Sequence, residues 1–193
     1  MAADRQLRGA LQALAAALDE LEAPSMIIGG IAVIAAGVPR QTIDVDATIL
    51  GRDAELEDVL SALARHDIVP RIPDARQFAR ERQVLLLVHE PSGVTIELSF
   101  AWLPFEEEAL SKAERVTIEG LSIRIARAED LIVYKAAAWR DRDRADIERL
   151  LVLHLKDIDL ERVRRLIEDI GLALDDPNRA TEFARMIQRA RNA

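Results

Sequence analysis

The chain contains no cysteine. Disulfides and thiolate metal sites are therefore excluded, and the absence agrees with a cytoplasmic setting without demanding one. Aromatic residues make up only 4% of its 193 positions. The core must then be built from Leu, Ile, Val and Ala, and no stacking platform for single-stranded nucleic acid is written into the chain. No apolar run is long enough to span a membrane, and the N-terminal stretch is amphipathic rather than a cationic start followed by an apolar block. Neither a signal peptide nor a membrane partner is expected. Positive charge is in deficit, with 26 Lys and Arg against 34 Asp and Glu. The resulting field argues against nonspecific DNA binding but leaves a local basic groove open. With 50% of its residues apolar, the chain can bury one substantial core, or one core and a small helical addition.

Leu7, Leu11, Leu14, Leu18 and Leu21 recur at helical steps, which predicts an amphipathic helix over residues 3–22. "MIIGG" reads as a short buried strand ending in glycines, and "IAVIAAG" as a brief apolar helix closed by Gly37 and Pro39. From Ile43 the period becomes two: Val45, Ala47 and Ile49 share one face, and Asp44, Asp46 and Thr48 share the other. Residues 53–66 return to helical spacing, and a loop with Pro70 and Pro73 leads into an arginine-rich stretch. "VLLLVHE" and "VTIELSF" are strands around a "PSG" turn, and "RVTIEGLSIRI" gives two more around Glu119-Gly120. After Ile125 the pattern is helical to the end, with Asp176 as N-cap and Pro177 at the first turn of the last helix. This order predicts an α+β fold, with an α/β core over residues 1–125 and a C-terminal helical cap over 126–193 packed on it.

Residues 29–48 read "GGIAVIAAGVPRQTIDVDAT", and their glycines and aspartates carry the chemistry. Aspartates at i and i+2 of a strand lie on one face, with Cβ atoms about 6–7 Å apart. Such a pair is either a solvated strand edge or a cation site, and Mg²⁺ suits it because that ion takes carboxylate and phosphate oxygens octahedrally. A third carboxylate on a neighbouring strand would complete a two-metal site for in-line attack on phosphorus. Glu97 is that candidate, since alternation places it on a polar face with Thr95 and Ser99. Gly29 and Gly30 form either a tight turn or a close approach of backbone N–H groups to phosphate. Arg40 and Thr42 flank the loop and can add donors. Lys135 follows the apolar run "LIVY", where it needs a route to solvent, a salt bridge to Asp130 or Glu129, or a ligand.

An apolar residue, Gly-Gly, about a dozen residues and Asp-x-Asp resembles the signature of the DNA polymerase β-like nucleotidyltransferase superfamily. "ARAEDLIVYKAAAWRDRDRADIERLL" is similar to the helix pair of AbiEii-like nucleotidyltransferases, many of them toxins of toxin–antitoxin pairs. The resemblance covers roughly residues 20–155. It implies a polymerase β-like core of mixed sheet and helices, and transfer of a nucleoside monophosphate from NTP to a hydroxyl on a tRNA 3′ end or a protein side chain. It implies two Mg²⁺ ions, with Mn²⁺ as substitute, held by Asp44, Asp46 and Glu97, and it gives Glu97 a share in deprotonating the attacking hydroxyl. It also implies phosphate contacts from Gly29, Gly30 and Lys135, a motif role for Arg140, Asp143 and Asp146, and an antitoxin protein as partner. The wider superfamily more often has Asp at the third carboxylate, so the longer Glu97 requires its strand to stand slightly back. The alternative is a catalytically inactive module of the same fold that binds nucleotide or acts in an antitoxin-like way.

His66, His89 and His154 lack metal-ligand spacing and read as structural. Arg71, Arg76, Arg80 and Arg82 form either a basic rim for RNA or phosphate, or a solvated helix face with Asp74 and Glu81 interleaved. From Arg140 onward, eleven Arg and one Lys stand against twelve acids, a balance that predicts ion-paired helix faces rather than a polyanion groove.

Overall fold

A computed structural model describes residues 2–51, 55–118 and 120–192. Residues 53 and 54 of the third predicted helix, and Glu119 of the predicted turn, lie outside the described residues. The chain divides into two compact units, one of Met1–Ile31 and Arg40–Ala126, the other of Ala32–Pro39 and Arg127–Ala193. The second of these units is helical, and its long stretch begins at Arg127. It also takes in residues 32–39, which their place in the chain did not reveal.

The first unit is a mixed α/β assembly. Its strands are β1 (Ser25–Ile28), β2 (Val45–Ile49), β3 (Ile68–Pro70), β4 (Val84–His89), β5 (Val94–Phe100), β6 (Glu114–Ile118) and β7 (Leu121–Ile125). They form a seven-stranded sheet in the order β3-β4-β5-β2-β1-β7-β6. The β2–β5 and β1–β7 pairs are parallel and the others antiparallel. Period-two patterning decides which face is buried. Val45, Ala47, Ile49, Ile96, Leu98, Phe100, Leu85 and Leu87 are all buried on one face. The helices α1 (Ala2–Glu20) and α3 (Leu56–Arg65) pack on each other, and α1 also packs on β2 and β5. Leu11, Leu14 and Leu18 on the inner stripe of α1 are buried, each contributing about 1.5–3 kcal/mol of transfer free energy.

Several expectations shift. The glycines do not end the first strand but open α2 (Gly29–Ala35), because Gly29 takes the left-handed φ of 63° that turns the chain out of β1. Asp44 stands just before β2 rather than within it. The proline-bearing loop contains the short β3, and the arginine-rich stretch is the helix α4 (Ala75–Arg82). A helix not expected from sequence, α5 (Pro104–Lys112), follows β5. Pro104 opens it, and the Glu106 carboxylate accepts hydrogen bonds from the N–H groups of Trp102 and Leu103, both at 3.0 Å.

In the second unit, α6 (Ala128–Ala138) packs on α7 (Asp141–His154) and α8 (Leu160–Ala173), and α9 (Asn178–Arg191) packs on α7 and α8. Leu131, Ile132, Leu150, Ile167, Phe183 and Ile187 fill the space between them. The last helix starts one residue later than predicted: Pro177 already has helical φ and ψ but stands outside, and Asp176 instead accepts from the Arg179 guanidinium at 3.3 Å. Residues 32–39 are tied to this unit by His154, whose Nε2 lies 2.7 Å from the Ala36 carbonyl oxygen. No described helix is long and apolar enough to cross a membrane.

Candidate active site

Register brings the predicted carboxylates together. Ile28, the last residue of β1, is opposite Asp46 on β2, and Asp46 is opposite Glu97 on β5. Neighbouring strands lie about 4.8 Å apart, so side chains at matched positions share one face of the sheet. Asp44 stands two residues before Asp46, at the entrance to the strand. The Thr42 hydroxyl donates to Asp44 Oδ1 at 2.7 Å, which holds the loop in a local side-chain turn.

The glycines meet this group from β1 and α2. A methyl group on Gly29 would lie 1.8 Å from Asp46 Oδ2, and one on Gly30 would lie 2.4 Å from the Thr42 hydroxyl. The missing side chains therefore admit Asp46 and Thr42 into contact with the backbone. The Arg40 guanidinium also lies 3.4 Å from where a Gly30 methyl would be, and its Nε donates to the Gln41 carbonyl at 3.3 Å. Gly29→Ala combines the left-handed φ with this overlap. We expect it to cost about 2–3 kcal/mol in chemical denaturation; a loss below about 0.5 kcal/mol would show that Asp46 does not sit over Gly29.

Glu97 is 52% exposed and pairs with Arg71, whose Nη2 lies 3.3 Å from Glu97 Oε1. Sequence spacing does not point to this partner, because 26 residues separate the two and nothing marks Arg71 among its neighbours. Register found it: the Arg71 N–H donates to the Leu86 carbonyl at 3.0 Å, and Leu86 is opposite Glu97. Another arginine of this stretch also takes an acidic partner. Arg76 makes a two-point contact with Glu57, at 2.6 and 2.8 Å, and these hydrogen bonds hold the Glu57 carboxyl below its ordinary pKa.

Among the described residues no group of three or more His, Cys, Asp or Glu side chains is disposed to hold a metal ion. The donor set itself suits a hard divalent cation, since Asp44, Asp46 and Glu97 offer only carboxylate oxygens on adjoining positions. Orientation separates them from such a site, with Asp44 turned to Thr42 and Glu97 turned to Arg71. The histidines make other contacts: His66 with Glu20 at 2.6 Å, His89 with Ser92 at 2.7 Å, and His154 with Ala36. Burial pushes the His89 imidazole down against the nearby Asp67 charge.

The residues of the second motif form a buried cluster within the helical unit. Lys135 Nζ lies 3.1 Å from both Asp143 Oδ1 and Asp146 Oδ2. Its partners are thus not Asp130 or Glu129: Asp130 pairs with Arg162 at 2.9 Å and Glu129 with Arg127 at 3.1 Å. Asp143 also accepts from Arg140, through the backbone N–H at 3.2 Å and Nε at 2.6 Å. Burial works to raise the Asp143 pKa, but hydrogen bonds and charge from Arg140 and Lys135 outweigh it, so the carboxyl titrates below its usual range.

The sequence model of the family described as "Nucleotidyltransferase of unknown function (DUF6036)" matches residues 5–191. The chain belongs to this family. Comparison with curated proteins gives no match. Among solved structures, the DUF6036 chain is similar to the antibiotic-resistance factor ANT(2'')-Ia in solution, at 20% identity and a TM-score of 0.56, over 98% of this chain and 99% of that one. It is similar to ANT(2'')-Ia crystallised in complex with adenylyl-2''-tobramycin, at 20% identity and a TM-score of 0.58, over 87% and 99%. It is similar also to an antigenic nucleotidyltransferase-like protein from Paracoccidioides brasiliensis, at 19% identity and a TM-score of 0.54, over 92% and 93%. At these identities the likeness is one of fold. The mixed sheet with its helices is a nucleotidyltransferase fold.

Proposed function

We propose that this DUF6036 protein is a divalent-cation-dependent nucleotidyltransferase that moves a nucleoside monophosphate from NTP to a hydroxyl and releases pyrophosphate. The observation that carries the reading is the register of Asp46 against Glu97, with Asp44 at the mouth of the same strand. Asp44, Asp46 and Glu97 would hold Mg²⁺, two ions in the full reading, with Mn²⁺ able to replace it. Once bound, the metal supplies charge neutralisation at the reacting phosphate and its leaving group. The chain's own residues supply the rest. Gly29 and Gly30 keep the backbone close to the reacting groups, and Arg40 and Thr42 offer donors beside Gly30. Glu97, half exposed, accepts the proton of the attacking hydroxyl. The expected phosphate contact from Lys135 is not part of this reading, because its ammonium is buried between Asp143 and Asp146 and serves to fix α6 against α7.

The likeness of residues 126–151 to the AbiEii-like helix pair supports a finer reading. There the acceptor is a tRNA 3′ end or a protein side-chain hydroxyl, and the chain is a cytoplasmic toxin with an antitoxin partner. The test is an acceptor screen with each labelled NTP and Mg²⁺ against total tRNA, lysate protein and, because of the fold neighbour, an aminoglycoside. We expect label on tRNA or protein, abolished by EDTA. Transfer that survives EDTA would overturn the metal role, and label on the aminoglycoside alone would overturn the toxin reading. A second reading, an inactive nucleotide-binding module, is favoured by the Glu97–Arg71 pair and the lack of an assembled three-carboxylate group. NTP binding with no transfer to any acceptor would establish it.

A further inference from the structure

We infer that Arg71 is a positioning residue of this site, one that holds Glu97 while no cation is present and turns to the nucleotide's phosphates when a cation takes Glu97. The inference rests on the nucleotidyltransferase reading and adds a residue to it. Arg71 is anchored by its main chain, through the 3.0 Å bond from its N–H to Leu86, directly opposite Glu97. Its side chain is not anchored. The guanidinium is 37% exposed and reaches Glu97 through one nitrogen at 3.3 Å, a long single-point contact from a group built for two-point contacts. Among the described residues Glu97 is its one polar side-chain partner. Such a half-exposed pair is weak and exchangeable.

The electrostatics then give two states. With Glu97 carrying no cation, the Arg71 charge satisfies it. A divalent cation on Glu97 removes that partner and sets two positive centres beside each other, which is unfavourable unless an anion lies between or beside them. A triphosphate is such an anion, and a fork of N–H donors fits its oxygens. Arg71 therefore competes with the bare cation but cooperates with the cation–nucleotide pair, so its removal must affect the two ligands in opposite directions.

Calorimetric titration of Mn²⁺ alone, and of an α,β-methylene NTP with Mn²⁺, tests this on the parent chain, Arg71→Ala and Arg80→Ala. Arg80, exposed on α4, carries the same charge without touching Glu97 and corrects for net charge. Arg71→Ala should bind Mn²⁺ alone about two- to fivefold more tightly than Arg80→Ala, the scale of an exposed ion pair. It should bind the analogue about tenfold more weakly, the scale of a charge-assisted contact. In a Glu97→Gln background the effect of Arg71→Ala on Mn²⁺ should vanish. A parent chain that binds neither Mn²⁺ nor any of the four analogues overturns the nucleotidyltransferase reading and this inference with it. A parent chain that binds both, with Arg71→Ala indistinguishable from Arg80→Ala, overturns the Arg71 assignment alone.

Discussion

Asp46→Asn should lower kcat/KM for nucleotidyl transfer by at least about a thousandfold while leaving the fold in place. Asp46 is the residue where three elements meet: it is opposite Ile28 on β1 and Glu97 on β5, and its carboxylate lies over Gly29. Asparagine keeps the shape that fits above Gly29 and removes only the charge. A single oriented donor at a developing oxyanion is already worth a factor of about a hundred to a thousand, and a carboxylate that fixes a divalent cation carries at least that. Asp44→Asn and Glu97→Gln should fall in the same range, and combining any two should add little, because groups that hold one ion fail as a unit. Steady-state kinetics at saturating Mg²⁺ would measure this, with thermal unfolding to check the fold. Transfer within about tenfold of the parent would remove Asp46 from the mechanism.

Much of this geometry is legible in the sequence because strands announce their faces. Alternation alone placed Val94–Phe100 as a strand with Glu97 outward, and it set Asp46 opposite the apolar run Val45, Ala47 and Ile49. The pairing of β2 with β5 was not legible. It is a parallel contact between segments some fifty residues apart, with α3, β3, α4 and β4 lying between them. The helix α5 escaped notice because its residues form no apolar stripe, and Pro104 and Glu106 act at its end rather than along it. Lys135 shows the same boundary between local and distant information. The sequence showed that a lysine after "LIVY" needs a partner, and it offered the nearest acids, Glu129 and Asp130. The helix pair instead brings up acids from the next helix, while Asp130 is claimed by Arg162 on α8. Side-chain orientation was the least legible part, since the turns of Asp44 toward Thr42 and of Glu97 toward Arg71 depend on neighbours that no periodicity specifies.

Lys135→Met should remove about 3–5 kcal/mol of stability, a large part of what a chain of this size possesses. The Lys135 side chain is 9% exposed, and Asp143 and Asp146 are 0% and 4% exposed. Methionine matches the volume but leaves the two carboxylates facing each other with only Arg140 beside Asp143. Asp146→Asn, added to Lys135→Met, should restore part of the loss, because it removes one of the two buried charges that Lys135 neutralises. The pH dependence fixes the sign of the effect. Asp143 titrates below its ordinary range in the folded chain, so its contribution is fully present above the unfolded value of about 3.9. It is lost as pH falls through the lower folded value. Without Lys135 the Asp143 carboxyl loses one of the two cations that lower its pKa, so acidification weakens the variant less than it weakens the parent. Urea denaturation should therefore show the widest gap between them near neutrality and a narrowing gap below about pH 4. A gap of equal size at both ends would mean that packing, not the ion cluster, is what Lys135 contributes to the helix pair.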